Sequence, residues 1–218
     1  MAAARGLRVT RDFTLEAYAK LLDAMSGYNV VTVEQFLRGC KEPFIVLRHD
    51  VDKHPERAVR MARLENAKGI RATYYFRWMG GFPEKEILEV IGFGHEAGYH
   101  YENLSELDGD KVKALADFVE KLADMRRLTP VNTVAMHGIP LSRVRNADML
   151  VGVDLAKYGL LGEPYISPEF AELAYMTDIG RRWSSTAATT SATKGKPIEE
   201  KIKDTDAFIR LNFETANL

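Results

Sequence analysis

The chain has 218 residues, of which 46% are hydrophobic and 28% charged, a composition typical of a soluble globular protein. Its net charge of -1 gives no electrostatic reason to expect nucleic acid or an anionic membrane as a partner. The single cysteine excludes an internal disulfide, and no apolar run has the length of a signal peptide or a membrane span. We therefore expect a cytoplasmic protein.

The first part of the chain predicts helices. Residues 14–26 carry apolar side chains at helical spacing, after the N-cap residue type Thr14 and before Gly27. Residues 32–39 predict a second, shorter helix. We thus expect an N-terminal helical segment over residues 1–42.

Strand and helix patterns then alternate. Strands are predicted at 44–47, 70–77, 99–101 and 131–136, and helices at 55–69, 83–98 and 108–127. The side chains expected to face inward from the last two helices are Leu88, Ile91, Val112, Leu115, Phe118, Val119 and Leu122. This alternation predicts an α/β fold of mostly parallel strands, in an open sheet or a barrel.

The signal weakens after residue 150. Two short strands are expected before residue 184, then a flexible loop over 185–197, then a final helix and strand. No repeat or linker marks a second domain. We expect one domain, with a barrel core over 43–183 and a loop and C-terminal segment over 184–218.

Ionisable and aromatic residues gather where the predicted strands end. In parallel α/β folds ligands bind at the carboxyl ends of the strands, so these residues are candidates for a site. They are His49, Asp50, Asp52, Arg77, Trp78, His100, Glu102 and His137.

The Asp-x-Asp pair suggests metal binding and proton transfer. On an extended backbone Asp50 and Asp52 point to the same side, where two ionised carboxylates repel unless a cation lies between them. One carboxylate would then bind a divalent metal, and the other would accept a proton. The alternative is that the pair only caps the helix that begins near Pro55.

Histidines at neighbouring strand ends favour the metal. Asp52, His100 and His137 would form a three-ligand site, most simply for zinc, with open positions for water as in catalytic sites. His54 follows the aspartates and is expected to support the ligands. His95 is expected to make a structural hydrogen bond near a helix end.

Two arginine–tryptophan pairs are candidates for substrate contacts. Arg77 and Trp78 follow the second barrel strand and are expected to bind substrate. Arg182 and Trp183 have the chemistry to bind a carboxylate or stack on a sugar ring, and the alternative is a solvated edge.

Three segments together resemble one family. They are VLRHDVDKHPERAVRMARLENAKGIRATYYFR, GHEAGYHYENL and AMHGIPLS, and they resemble the polysaccharide deacetylase superfamily (carbohydrate esterase family 4), in its divergent branch with an Arg-His-Asp-Val-Asp motif. The resemblance covers roughly residues 14–183. It implies a distorted (β/α) barrel and a metal-dependent hydrolase that removes acetyl groups from a sugar or polysaccharide precursor. It implies that Asp50 is the general base and that Asp52 and His100 bind the metal, usually zinc.

The sequence departs from the family pattern at two places. The usual second metal histidine, four residues after His100, is replaced by Leu104, so we expect His137 to bind the metal in its place. Glu102 is either a reserve ligand or a residue that supports the ligands, and a supporting role is also expected for His49. No histidine follows His137 to act as the usual general acid. The alternatives are therefore a hydrolase of another amide, such as a cyclic one, and a catalytically impaired protein that binds carbohydrate or a partner.

Overall fold

The structure is a computed structural model that describes residues 12–139, 142–178, 180–184 and 202–214. Its strands are β1 (Asn29–Val31), β2 (Phe44–Val46), β3 (Arg48–Val51), β4 (Thr73–Phe76), β5 (Glu96–Tyr101) and β6 (Val134–Met136). Its α-helices are α1 (Leu15–Ala24), α2 (Val33–Leu37), α3 (Pro55–Ala67), α4 (Glu84–Gly92), α5 (Asn103–Glu106), α6 (Lys111–Arg126) and α7 (Thr205–Ile209). Shorter helical turns connect several of them.

All the strand pairs are parallel. Strands β1 and β2 form one sheet, and β3, β4, β5 and β6 form a second sheet in that order. Leu47 joins the two, because its N–H donates to Val31 and its carbonyl accepts from Thr73. The parallel sheet curls into a half-barrel, which is compatible with a distorted (β/α) barrel, but the described residues do not close a full one.

The two faces of the main sheet bury different side chains. Tyr74 and Phe76 pack outward into the main core with the apolar faces of α3, α4 and α6. Tyr75, between them in the chain, points inward and packs against Ala135 of β6 and Val33 of α2. This alternation with period two decides which residues at the strand ends reach the inside of the half-barrel.

Several predicted helices are confirmed. Thr14 caps α1, with its side chain accepting from the Ala17 N–H. Thr32 and Gln35 form a reciprocal capping box at the start of α2. Helices α3 and α6 lie within their predicted ranges, so the alternation of strand and helix expected from the sequence is present.

The predicted boundary between the 83–98 helix and the 99–101 strand is wrong. Helix α4 ends earlier, because Gly94 takes a φ of 84° and its N–H donates to Ile91 at 2.8 Å. Gly98, which the sequence suggested as the helix stop, lies inside β5. A side chain there would place its Cβ 2.6 Å from the Tyr75 ring, so glycine is required by the close approach of strand β4.

The inward faces predicted for two helices are also partly wrong. Leu88 is 49% exposed and Val112 82% exposed, whereas Ile87 is fully buried. The buried positions of α6 are Ala114, Phe118, Leu122 and Met125. Phe118 and Leu122 are therefore buried as predicted, whereas Val112 and the 38% exposed Val119 are not.

Other segments differ from the expectation as well. The segment 1–42 contains a strand, β1, and the described residues between 150 and 184 form short 3-10 turns and isolated bridges instead of two strands. The expected C-terminal strand is wrong, because α7 is followed by a π-helical turn over Arg210–Glu214. The loop predicted at 185–197 lies outside the described residues. Within the described ranges, no helix is both long and apolar enough to span a bilayer.

Candidate metal centre

The parallel register brings three strand ends to one edge of the sheet. Asp52 directly follows β3, His100 lies near the end of β5, and His137 directly follows β6. The His137 N–H donates to the Tyr101 carbonyl at 2.7 Å and so continues the β5–β6 hydrogen bonding by one residue. This bond fixes the backbone position of His137. The three side chains therefore meet although the chain separates them widely.

The three ligand-type atoms are close enough to share one ion. One oxygen of Asp52 lies 3.3 Å from Nε2 of His100 and 3.4 Å from Nε2 of His137, and all three atoms lie within 4.8 Å of one another. A tetrahedral zinc ion with bonds of about 2.0 to 2.1 Å would hold its ligand atoms about 3.3 to 3.4 Å apart. The donor set and its spacing therefore fit a metal ion.

Hydrogen bonds orient both imidazoles toward Asp52. Nδ1 of His100 lies 3.0 Å from the Ala135 carbonyl, and Nδ1 of His137 lies 2.8 Å from a carboxylate oxygen of Glu102. A carbonyl and an ionised carboxylate only accept, so Nδ1 of each ring donates the proton. Nε2 of each ring then faces Asp52, and it is the atom that would bind a metal ion.

Glu102 holds His137 and Arg77 together. Its other oxygen accepts from Nε of Arg77 at 2.9 Å, and its side chain is only 8% exposed. Burial opposes ionisation of Glu102, but its bonds to His137 and Arg77 outweigh this and keep its pKa below the usual range. Glu102 therefore acts on the imidazole and stays off the position of an ion bound by Asp52.

Asp52 is also favoured in its charged form. Burial tends to raise its pKa, but the hydrogen bond from His100 and the nearby charges of His137 and Arg77 lower it below the usual range. A carboxylate that stays ionised near neutral pH is ready to bind a cation without first releasing a proton.

Asp50 stands apart from these three ligands. Its carboxylate lies 3.3 Å from the Arg48 guanidinium, which also donates to the Tyr165 hydroxyl. The other terminal nitrogen of Arg48 is buried and has no hydrogen-bond partner among the described residues. The nearby carboxylate outweighs the effect of burial and raises the pKa of Arg48, so this arginine stays positive and holds Asp50 in place.

Two histidines that the sequence grouped with the site lie elsewhere. His49 sits in β3 between Arg48 and Asp50 and so points to the opposite face, where Nε2 contacts the Glu65 carboxylate at 2.6 Å. His54 takes a left-handed conformation before α3, and its exposed ring contacts Glu56 at 3.2 Å. Neither contacts the three ligands, so the expected supporting role is wrong for this geometry.

His95 and Leu104 are structural. His95 is buried, with Nδ1 accepting from the Ala72 N–H at 3.1 Å and Nε2 donating to the Ala62 carbonyl at 2.8 Å. Because Nδ1 accepts, the ring is neutral, and its 3.5 Å approach to Glu65 is no ion pair. Leu104 is 2% exposed in α5, where it packs in the main core.

The two arginine–tryptophan pairs have different positions. Arg77 and Trp78 line a groove beside the three ligands. Trp183 stacks on Phe208, with ring centroids 4.5 Å apart, and donates to Thr205. It also lines a cavity that reaches Asp50 and Asp52, so its role in substrate binding stays a prediction. Arg182 is exposed near it.

Sequence reasoning missed the partners of Asp50. Arg48 stands in the same five-residue stretch as the aspartates, and its position two residues before Asp50 was the signal that it shares that face. Tyr165 lies in an irregular segment, where no periodicity indicates which way a side chain points.

Comparisons of the chain with protein-family models, with curated proteins and with solved structures find no match. The chain is an α/β protein whose curled parallel sheet carries, at one edge, an Asp/His/His cluster that could bind a metal ion.

Proposed function

We propose that this chain is a metal-dependent hydrolase that removes acetyl groups from a sugar or polysaccharide precursor. The observation that carries the proposal is the meeting of Asp52, His100 and His137 at one edge of the sheet, with a further carboxylate, Asp50, on the same face but paired differently. The resemblance of the motifs to the polysaccharide deacetylase superfamily supports the acetylated sugar as substrate.

The residues divide into holding and proton-transfer roles. Asp52, His100 and His137 would hold the ion, with Glu102 fixing the His137 ring. When bound, a divalent ion such as zinc supplies Lewis acidity, which polarises the acetyl carbonyl and lowers the pKa of water.

Asp50 provides the base. Its ion pair with Arg48 orients the carboxylate and keeps it from replacing Asp52 as a ligand. In that position Asp50 accepts the proton of the attacking water.

The test compares metal content with turnover. Wild-type protein should contain about one divalent ion per chain and release acetate from acetylated sugars. Asp50→Asn should keep the ion and lose acetate release by about 100-fold or more, the size of a general-base effect. Asp124→Asn changes a partly exposed carboxylate of α6 that contacts Arg127, so it serves as the matched control and should alter neither quantity. Loss of the ion in Asp50→Asn would contradict the division of roles.

A second candidate is a carbohydrate-binding protein without turnover. The observation that favours it is that no histidine follows His137 in the given sequence, whereas the resembled family uses a later histidine as its general acid. Metal in the wild-type protein together with no acetate release from any acetylated sugar would favour this candidate.

A further inference from the structure

A large cavity borders the candidate metal centre. It has a volume of about 1170 Å³, and Asp50 and Asp52 both line it. The Asp52 carboxylate lies 3.3 Å from Nε2 of His100 and 3.4 Å from Nε2 of His137. A reacting group held at these ligands would therefore have the cavity directly beside it.

The cavity is much larger than an acetyl group. Sites for whole small-molecule ligands have volumes of about 300 to 1,000 Å³. The methyl group of an acetyl substrate fills little more space than a water molecule, or about 30 Å³. An acetyl group would therefore occupy only a small part of the cavity.

Apolar side chains form much of the cavity wall. A strand of a parallel sheet usually buries its side chains on both faces, yet every residue of the apolar strand β2 is partly exposed. All three residues of β2 line the cavity, so a bound apolar group would cover surface that water otherwise contacts. Wall residues from β2 and from residues 170–183 include Phe44, Val46, Phe170, Leu173, Met176 and Trp183.

Ring contacts hold parts of this wall in place. The Phe36 ring packs against Phe44 at 5.3 Å and against Phe170 at 4.9 Å, measured between ring centroids. The Trp183 ring stacks on Phe208 at 4.5 Å by the same measure. Aromatic walls that are fixed before binding cost little entropy to order when a ligand arrives.

The charges on the wall do not favour an anionic ligand. The described residues that line the cavity include three arginines and four carboxylates. Arg48 is paired with Asp50 at 3.3 Å, and Arg57 lies 3.9 Å from Glu56. Because positive charge is not in excess, the wall attracts a ligand mainly through its apolar surface.

The apolar part of the proposed substrate is its acyl group. The carbonyl carbon that reacts carries the acyl chain on one side and the sugar nitrogen or oxygen on the other. A sugar placed against apolar walls would lose the hydrogen bonds that its hydroxyl groups make with water, which costs free energy for each hydroxyl. We therefore place the acyl chain in the cavity and the sugar outside it.

We propose that this cavity binds the acyl chain of the substrate, so that the protein removes acyl groups longer than acetyl in preference to acetyl itself. The inference rests on the proposed function for the metal centre and for hydrolysis, and it goes beyond that function in the acyl group. Water is the only co-reactant. Its oxygen joins the acyl carbon, the bond from that carbon to the sugar nitrogen breaks, and one proton of the water ends on the nitrogen. The products are a carboxylic acid and an amino sugar.

Binding of the acyl chain can be measured apart from turnover. Asp50→Asn, loaded with zinc, should leave the probe intact and keep the cavity. Each buried methylene strengthens binding about fourfold, so N-octanoylglucosamine should bind at least about 100-fold more tightly than N-acetylglucosamine in calorimetry. Octyl N-acetylglucosaminide carries its hydrocarbon chain on the sugar, away from the acyl group, and should gain none of this affinity.

The protein also offers a reporter on the cavity wall. It contains two tryptophans, so adding Trp78→Phe to Asp50→Asn leaves Trp183 as the sole indole. N-octanoylglucosamine should change the Trp183 emission saturably, and N-acetylglucosamine should not. A saturable change places the acyl chain beside this ring, independently of calorimetry.

Two variants and a control locate the binding. Leu173→Asp places a charge on the wall, and Ala174→Phe fills part of the space. Each should lower the affinity for N-octanoylglucosamine at least about tenfold and leave the affinity for N-acetylglucosamine unchanged. Leu161→Asp changes a 42% exposed leucine outside the cavity and should keep the full affinity. Circular dichroism and thermal unfolding check that each variant is folded.

The outcomes separate this inference from the proposed function. Tight binding of N-octanoylglucosamine that Leu173→Asp weakens, with no acid released by the wild-type protein, would support the cavity and refute the hydrolase. Acetate release by the wild-type protein, together with equal binding of the octanoyl and acetyl probes, would refute the cavity and leave the hydrolase standing. Octyl N-acetylglucosaminide that binds as tightly as N-octanoylglucosamine would overturn the assignment of the cavity to the acyl chain.

Discussion

Glu102 offers the sharpest test of how the metal centre is built. The carboxylate receives Nδ1–H of His137 at 2.8 Å and is almost completely buried, so solvent screens the interaction little. Removing such a partner of a metal-binding histidine typically weakens metal affinity about 10- to 100-fold, or about 1.4 to 2.8 kcal/mol. We expect Glu102→Ala to lie at the upper end of this range.

A second effect adds to the loss in Glu102→Ala. Without Glu102, the Arg77 guanidinium has no carboxylate partner, although Nη1 already lies 3.5 Å from the Asp52 carbonyl. An unpaired cation at this place repels a metal ion and attracts the Asp52 carboxylate. Glu102→Gln keeps an acceptor for the imidazole but loses the charge, so it should lie at the lower end of the range.

The assay is competition for zinc against a chromophoric chelator at constant pH. Glu89→Gln, a partly exposed position on α4, is the control and should leave the affinity unchanged. Zinc affinities of Glu102→Ala and wild type that agree within twofold would refute the view that this carboxylate prepares His137 for a metal.

Three further predictions concern stability. Burial lowers the pKa of His49, but the Glu65 carboxylate outweighs burial and raises this pKa above its ordinary 6.5. Burial raises the pKa of Glu65, but His49 and the tyrosine hydroxyls outweigh burial and keep this pKa below 4.5. The pair therefore stabilises the fold most between about pH 4.5 and 6.5, and urea unfolding should show the deficit of His49→Gln shrinking as the pH rises above 6.5. A loss of stability in His49→Gln that grows as the pH rises above 6.5 would contradict this expectation. Phe118→Ala should lower the free energy of unfolding by about 3 to 5 kcal/mol, while Val112→Ala on the same helix should change it by less than about 0.5 kcal/mol. Thr32→Ala removes half of a capping box and should cost about 1 kcal/mol, measured in the same urea experiments.

The alternation of strands and helices could be read from the sequence because it depends on local signals. Pro55 at the start of α3 and Thr14 before α1 act within a few residues, and the structure places both as expected. The boundary before β5 depended on a contact that the sequence does not reveal. Gly98 is required by the Tyr75 ring of a neighbouring strand, so the glycine that looked like a helix stop belongs to the sheet.

The candidate site divides in the same way. Asp52, His100 and His137 could be grouped from the sequence because parallel strands end at a common edge. His49 was wrongly included, since its position at a strand end was counted but the alternation of faces along β3 was not. Once the face is considered, Arg48 and Asp50 point inward and His49 points toward Glu65.

Helices α1 and α7 share one hydrophobic cluster, although one precedes the main sheet in the chain and the other follows it. Leu21 and Leu22 of α1 pack in the same cluster as Phe208 and Ile209 of α7. During synthesis on the ribosome, the first pair emerges early and stays uncovered until the second pair has been made. Strands β3 to β6 pair only with the next strand along the chain, so they have no such delay. The nascent protein should therefore acquire its sheet first and bury α1 last, with an exposed apolar face for chaperones to bind in the interval.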